Sequence, residues 1–341
     1  MKNIIRSVLK IKGKSLFSWF IVVGFLCLLS INLVAETSSS NQEDEKLIKQ
    51  QRKLPLLNGH IFISSTNLYQ TPFVTTFFRN STGFGRTLDY KIPIYGPGGE
   101  LLFNVKANLT YMMLEFTYQQ AVNDWLAFWV AGSGVGRVGV NAESTLSQGV
   151  SALGGFELGG LVRIWQNDKA ILSAAASYRH NMFIGVDIIG FAQSIIDSGI
   201  IDTSKLLARI PSARWKGGLR FAYAFNDLVG FLLYTDLGVG DSLEGNEDRE
   251  TVFDIGGLVS LDLNARTKLP IGFVFGYHRT TYPEASGDLV ENMGVASFRI
   301  AYTGRREFSI GLETNYSKAL IVDSDKTLNF GSVFINLQYY F

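Results

Sequence analysis

Only three histidines, His60, His180 and His278, occur in the 341 residues, and none lies in a cluster with metal-ligand spacing. The single cysteine, Cys27, falls in an apolar leader, so the chain beyond it has no thiol for a disulfide or a thiolate metal site. No catalytic residue, metal site or cofactor is expected. What the sequence offers instead is charge at alternate positions of strand-like segments. Arg163, Arg179, Arg220 and Arg299 stand on one side of that account; Glu115, Glu157, Asp254, Asp262 and Glu313 stand on the other, with His278 in the same register. Opposed charges of this kind either set a transverse field across a watery lumen or pair to fill a closed interior, and the residues alone leave both open.

The elements that must carry these charges are strands. In Ala213–Phe225, Ala213, Trp215, Leu219, Phe221, Tyr223 and Phe225 fall on one side; Arg214, Lys216 and Arg220 fall on the other. Phe253, Ile255, Val259, Leu261 and Leu263 likewise oppose Asp254, Ser260 and Asp262. The last nine residues repeat the pattern, with Val333, Ile335, Leu337, Tyr339 and Phe341 against Phe334, Asn336, Gln338 and Tyr340. Period-2 alternation suits a wall with lipid on one face and water on the other. From Leu101 onward about eleven such segments are joined alternately by tight turns and long polar connectors. The turns lie at Asn123-Asp124, 166–169, Asn226-Asp227, 265–268 and 304–306; the connectors cover 141–150, 181–211, 241–250, 282–292 and 318–326.

The terminal segment, with Tyr339 and Phe341, resembles the C-terminal assembly signal of Gram-negative outer-membrane β-barrel proteins. That resemblance is architectural, covers residues from about 59 onward, and implies an antiparallel transmembrane β-barrel, porin-like, with no closer family assigned. Both termini would lie in the periplasm, which asks for an even strand count and puts every tight turn on the periplasmic side. Twelve strands, the favoured count, result if one of His60–Ser65 and Phe73–Phe78 joins the wall; fourteen, the alternative, result if both join together with Leu88–Tyr95. Within Leu101–Gln120 the alternation changes phase, and a β-bulge near Tyr111 would reconcile the halves. Aromatics crowd the tight-turn rim, at Tyr118, Trp125, Trp165, Phe225, Tyr302 and Phe308, as an interfacial girdle would.

Residues 1–35 read as a signal peptide: five bases without an acid, then an apolar run to Ala35. Phe25-Leu26 ahead of Cys27 does not make a lipobox. Losing Lys2, Arg6, Lys10, Lys12 and Lys14 with the leader takes the formal net charge from +1 to about −4, which argues against a nucleic-acid partner. Residues 36–57 read as a disordered or helical periplasmic extension and 58–341 as the barrel. Inside it, 181–211 breaks the rhythm: Val186, Ile189, Ala192, Ile196 and Ile200 recur near helical spacing and Pro211 closes the run, so a helical external loop is expected. Val186, Ile189, Phe191 and Ile196 are its candidates for a constriction or lid; packing on the rim is the plainer alternative.

The implied function is a passive channel or uptake porin for small solutes, partly apolar ones included, with outer-membrane lipid and the barrel-assembly machinery as partners. Two other classes stay open. A lipid-modifying enzyme of phospholipase or lipopolysaccharide-deacylase type needs an exposed Ser or Asp beside His180 or His278. Outer-membrane phospholipases carry a Ser-Asn-Gly signature near their histidine, whereas Asn181-Met182-Phe183 and Arg279-Thr280-Thr281 follow these two. A non-conducting structural barrel is the third. Deleting Phe341 is expected to lower the membrane-inserted fraction, read as loss of heat-modifiable gel mobility; full insertion would contradict the terminal signal.

Overall fold

The computed structural model describes residues 54–65, 71–88, 91–95, 101–106, 108–140, 150–186, 207–241, 249–281, 290–321 and 327–341. In chain order the elements are β1 (Leu56–Leu57), β2 (His60–Ile61), β3 (Phe77–Leu88), β4 (Lys91–Tyr95), β5 (Leu101–Lys106), β6 (Leu109–Ala121), β7 (Leu126–Gly139) and β8 (Val150–Gln166). There follow β9 (Ala170–Val186), β10 (Leu207–Ala224), β11 (Val229–Asp241), β12 (Arg249–Asp262), the short helix α1 (Asn264–Thr267), β13 (Ile271–Thr280), β14 (Val290–Arg305), β15 (Phe308–Ile321) and β16 (Thr327–Tyr340). Strand β3 and strands β6 to β16 form one closed antiparallel barrel of twelve. Asn329 to Tyr340 pair with Leu88 to Phe77 and close the wall.

Alternation decides which way each side chain faces. Phe253, Ile255 and Val259 are exposed on the outer face of β12 while Asp254, Leu258, Ser260 and Asp262 are buried inside. The same parity puts Phe116, Phe128, Leu158, Leu219, Leu233, Phe275, Leu312 and Ile335 outside, a belt of exposed apolar groups around the wall that suits lipid rather than water. Three tight turns share one device. Asn123 Oδ1 accepts from the Trp125 and Leu126 amides at 3.0 and 2.8 Å, Asn167 Oδ1 from Lys169 and Ala170 at 2.9 and 2.7 Å, and Asn226 Oδ1 from Leu228 and Val229 at 2.9 and 3.0 Å. The side-chain amide replaces a missing main-chain partner, which is why Asn opens each turn. An irregularity between Arg163 and Trp165 turns Ile164 and Trp165 both outward, bringing the indole to the girdle.

Four expectations change. The stretch from Leu101 to Gln120 is two strands rather than one bulged strand. β5 pairs with β4 in a separate hairpin, whereas β6 joins the wall in unbroken register through Tyr111, so no bulge lies there. Of the two segments offered for the first strand, His60–Ser65 stays out of the wall and Phe73–Phe78 supplies only its start, since β3 runs Phe77–Leu88. The insert is narrower than 181–211: residues 181–186 continue β9 and 207–211 continue β10, paired from Val186–Leu207 to Asn181–Ser212. Val186 is thus a wall residue, while Ile189, Phe191 and Ile196 lie outside the described residues, as do the leader and most of the extension. The fourth change concerns Leu54 and Leu57, assigned to a disordered or helical extension, which are buried.

That burial comes from a plug. Asn58 and Gly59 both have positive φ, 47° and 80°, and close the β1–β2 hairpin with the Asn-Gly pair such a turn favours. From there the segment runs inside the barrel. Leu57, Phe62, Ile63 and Phe73 pack with the inward Ile171, Ala222, Ala224, Leu232, Leu258, Val274 and Ala301 as one apolar core. The lumen therefore has a dry, greasy half at the tight-turn end, where a wet face had been expected throughout. Burying four such side chains is worth on the order of 10 kcal/mol. Phe62→Ala is expected to loosen the plug by about 3–5 kcal/mol without opening the wall. Faster proteolysis within 54–65, with heat-modifiable mobility retained, checks it.

Candidate functional site

Polar hooks along the inner wall hold the plug. The Asn58 amide N–H donates to the Asp168 carbonyl at 2.6 Å, and Asn58 Nδ2 donates to the Phe225 carbonyl at 3.2 Å. Ser260 Oγ accepts the Ile63 amide at 3.2 Å. Arg299 donates to the Ser64 carbonyl, and Arg79 Nη1 to the Ser65 carbonyl at 3.1 Å. On the return limb, Gln119 Nε2 donates to the carbonyls of Phe73 and Thr75, both at 2.9 Å, and Ser173 Oγ to that of Pro72 at 2.6 Å. The Phe341 amide bonds the Thr76 carbonyl at 3.1 Å, and the Tyr340 ring lies 5.9 Å from Phe77 beside Leu54. The C-terminal strand thus closes the wall and pins the plug at the same seam.

Above the plug the inward face is charged, in three groups. In the first, Arg220 forms a two-toothed pair with Asp236 at 2.6 and 2.8 Å, and Lys216 Nζ reaches Asp254 at 2.9 Å. The Arg220 guanidinium also sits 5.2 Å over the Tyr234 ring, and Tyr234 hydrogen-bonds His278 Nδ1. Losing one member of the buried Arg220–Asp236 pair would cost about 3–5 kcal/mol, since the other charge stays desolvated. In the second, Arg299 stands directly across from Glu313, whose Oε2 accepts from Asn336 Nδ2 at 3.2 Å. Third is a row across five strands, Arg79–Thr117–Ala131–Glu157–Arg179, each residue the register partner of the next. Arg179 lies 3.6 Å from Glu157 and donates to Ser133 Oγ at 3.2 Å; Trp129 Nε1 donates to Glu157 at 3.4 Å.

Of the residues singled out from sequence, Glu115, Glu157, Arg179, Arg220, Asp254, His278, Arg299 and Glu313 face this lumen. Arg163 sits lower, at the tight-turn rim, with Nη1 on Gln166 Oε1 at 2.7 Å. Asp262 is buried in the turn region, where Oδ1 accepts from Thr303 Oγ1 at 2.8 Å and the Asn264 amide at 3.1 Å. His180 and His278 lie on opposite faces: His180 packs outside against Phe156, ring centres 5.7 Å apart, while His278 is enclosed. Sequence reasoning missed Asp236, Tyr234, Arg79 and Trp129. Asp236 and Tyr234 were readable, since Leu233 and Leu237 fix the parity of β11. Arg79 was not, because β3 puts Asn80, Thr82 and Arg86 on its outer face and shows little alternation.

Two cavities flank the plug's return limb. One, of about 40 Å³, is lined by Thr71, Arg79, Glu115, Trp129, Glu157 and Arg179. The other, of about 210 Å³ at the tight-turn rim, touches Leu54, Phe73, Thr75, Asn123, Arg163 and Ile171. Between them lies a small apolar cluster of Val74, Ala127, Leu161 and Ala175.

No family model matches the chain, and no curated protein matches it in sequence. Among solved structures it is similar to the NanC porin, with 8% identity and a TM-score of 0.44 over 78% of this chain and 99% of that one. It is likewise similar to a Pseudomonas aeruginosa FadL homologue, with 9% identity and a TM-score of 0.44 over 84% of this chain and 96% of that one. The translocator domain of the autotransporter NalP from Neisseria meningitidis shares 12% identity and a TM-score of 0.44, over 78% of this chain and 88% of that one.

His60 ties the plug to solution conditions. Its Nδ1 faces the Asp227 carbonyl at 3.2 Å and so must donate; Nε2 lies 3.1 Å from Ser260 Oγ and accepts in the neutral ring. Burial holds the imidazole below its ordinary 6.5, outweighing the Asp227 carbonyl and the Asp262 and Asp227 charges, which act the other way. A released ring regains the ordinary value and binds protons more readily than the docked one. Docking is therefore firmest above about pH 6.5 and weakens as pH falls below it. Proteolysis within 54–65 is expected to speed up between about pH 7.5 and 5.5, and His60→Asn should flatten that dependence.

Proposed function

We propose that this protein is an outer-membrane barrel, exported behind the leader of residues 1–35, that passes small solutes passively between the cell exterior and the periplasm. In this reading the tight turns, the plug and the C-terminus face the periplasm, lipid covers the apolar belt, and the barrel-assembly machinery reads Tyr339 and Phe341. The observation that carries it is the charged row on β3 and β6–β9. Its side chains border free space, and Arg179 keeps 19% of its side chain accessible inside the wall. Inward residues on its long-loop side, Met113, Ser133 and Arg137, are half-buried rather than packed solid. Fixed charges beside accessible space in a low-dielectric cylinder act on whatever enters it.

The plug favours a second reading, a barrel that does not conduct, because its apolar core is too well packed to leave as a unit. Planar-bilayer recording separates the two. Refolded full-length protein is expected to give discrete openings in symmetric KCl, and a correctly folded but silent barrel would overturn the channel reading in favour of the structural one.

A further inference from the structure

The two halves of the plug are held very differently. The ascending limb, with Leu57, His60, Phe62 and Ile63, is locked against β10 to β14 by the main apolar core and by Ser260. The return limb meets β6 to β9 through one small apolar contact, Val74 on Ala127, Leu161 and Ala175, and through hydrogen bonds from Gln119 and Ser173 to its carbonyls. Those three wall residues are successive register partners, and so are Gln119, Trp129 and Gly159 one row above. The contact of Val74 with Ala127, Leu161 and Ala175, below Gln119, Trp129 and Gly159, thus separates the charged cavity from the rim cavity. Leu161 and Trp129 are the large wall residues at this separation. On the other side Leu232, Leu258 and Val274 interlock with Phe62 and Ile63.

Resting on the channel reading, we propose that solutes cross the barrel off-axis, along the β6–β9 wall beside the return limb. The charged cavity is the selecting station and the Val74–Leu161 contact the constriction. The station's charges also specify the class of solute. Two carboxylates, Glu115 and Glu157, stand with two guanidinium groups, Arg79 and Arg179, together with the Trp129 indole and the Thr71 hydroxyl. Their formal charges cancel, so the station favours neither a net anion nor a net cation. It fits small solutes that are uncharged or zwitterionic, offering acceptors and donors a few ångströms apart, and the indole adds an apolar surface. At about 40 Å³ the cavity holds only a few water molecules, so the structure is the closed form of this route. Passage requires Val74 and Leu161 to part, and the locked ascending limb can stay in place while they do.

Unitary conductance and reversal potential in a KCl gradient test the route and the station together. The wild type is expected to show little preference between K⁺ and Cl⁻. Glu157→Gln should shift the reversal potential toward Cl⁻ and Arg179→Gln toward K⁺. Leu161→Ala should raise unitary conductance while Leu232→Ala, on the locked side, leaves it unchanged; Leu161→Val, a milder cut, should move it the same way if the larger one fails to fold. A rise confined to Leu232→Ala, or equal in both, would overturn the route. Conducting channels whose selectivity ignores Glu157 and Arg179 would overturn the station. Folded barrels that never conduct would remove the channel reading itself, a result distinct from the other two.

Discussion

Everything in this molecule hangs on the seam where β16 meets β3. In a medium without water an open sheet edge leaves a row of amides and carbonyls unsatisfied, so the wall exists only if its last strand finds its first. Twelve register pairs, from Asn329–Leu88 to Tyr340–Phe77, achieve that closure. Gly83 shows how close the fit is: a β-carbon there would sit 2.2 Å from the Phe334 ring, so only glycine lets that ring lie flat on the inner wall. Once the seam is shut, strand parity alone sorts side chains into lipid-facing and inward-facing sets.

The inward set does not form one environment. Toward the tight turns it is Ala, Leu, Val and Ile packed around Phe62, Ile63 and Phe73, which is the core of a small soluble domain set inside a membrane cylinder. Toward the long loops it is Arg, Lys, Glu and Asp in pairs whose geometry comes from neighbouring strands. The plug supplies the apolar partner that the lower wall lacks, and the wall supplies the carbonyl partners that a short irregular segment lacks. Each stabilises the other. That dependence explains why the plug's carbonyls at Ser64, Ser65, Pro72 and Phe73 meet Arg299, Arg79, Ser173 and Gln119 rather than one another.

Closure of the lumen also follows from this division. A segment secured by a large apolar core on one side, and by a single valine with a few hydrogen bonds on the other, is an asymmetric obstruction. Such an obstruction can yield locally while remaining docked. The charged row sits directly above the weaker side, so filtering and yielding share the same strands. His60, by contrast, belongs to the firm side, and its neutral hydrogen bonds make the firmness of that side depend on pH.

Parity, turn positions and the terminal aromatics are local properties. They were therefore legible in the sequence: Phe253 against Asp254, Asn226 at its turn, Phe341 at the rim, and the count of twelve. The charged residues could be assigned to the inner face for the same reason. Their partners could not, because pairing Arg220 with Asp236 rather than Asp254 depends on interstrand register, which the 11 aligned pairs of β10 and β11 set together. The plug was the least legible feature. Residues 54–76 mix Leu, Phe and Ile with Ser, Thr and Pro and have no period of their own. Only a closed cylinder of this circumference creates an interior that such a chain can fill. Local chemistry determined which face each wall residue takes; tertiary structure decided what the inner face encloses, because enclosure is a property of the completed ring and of no single strand.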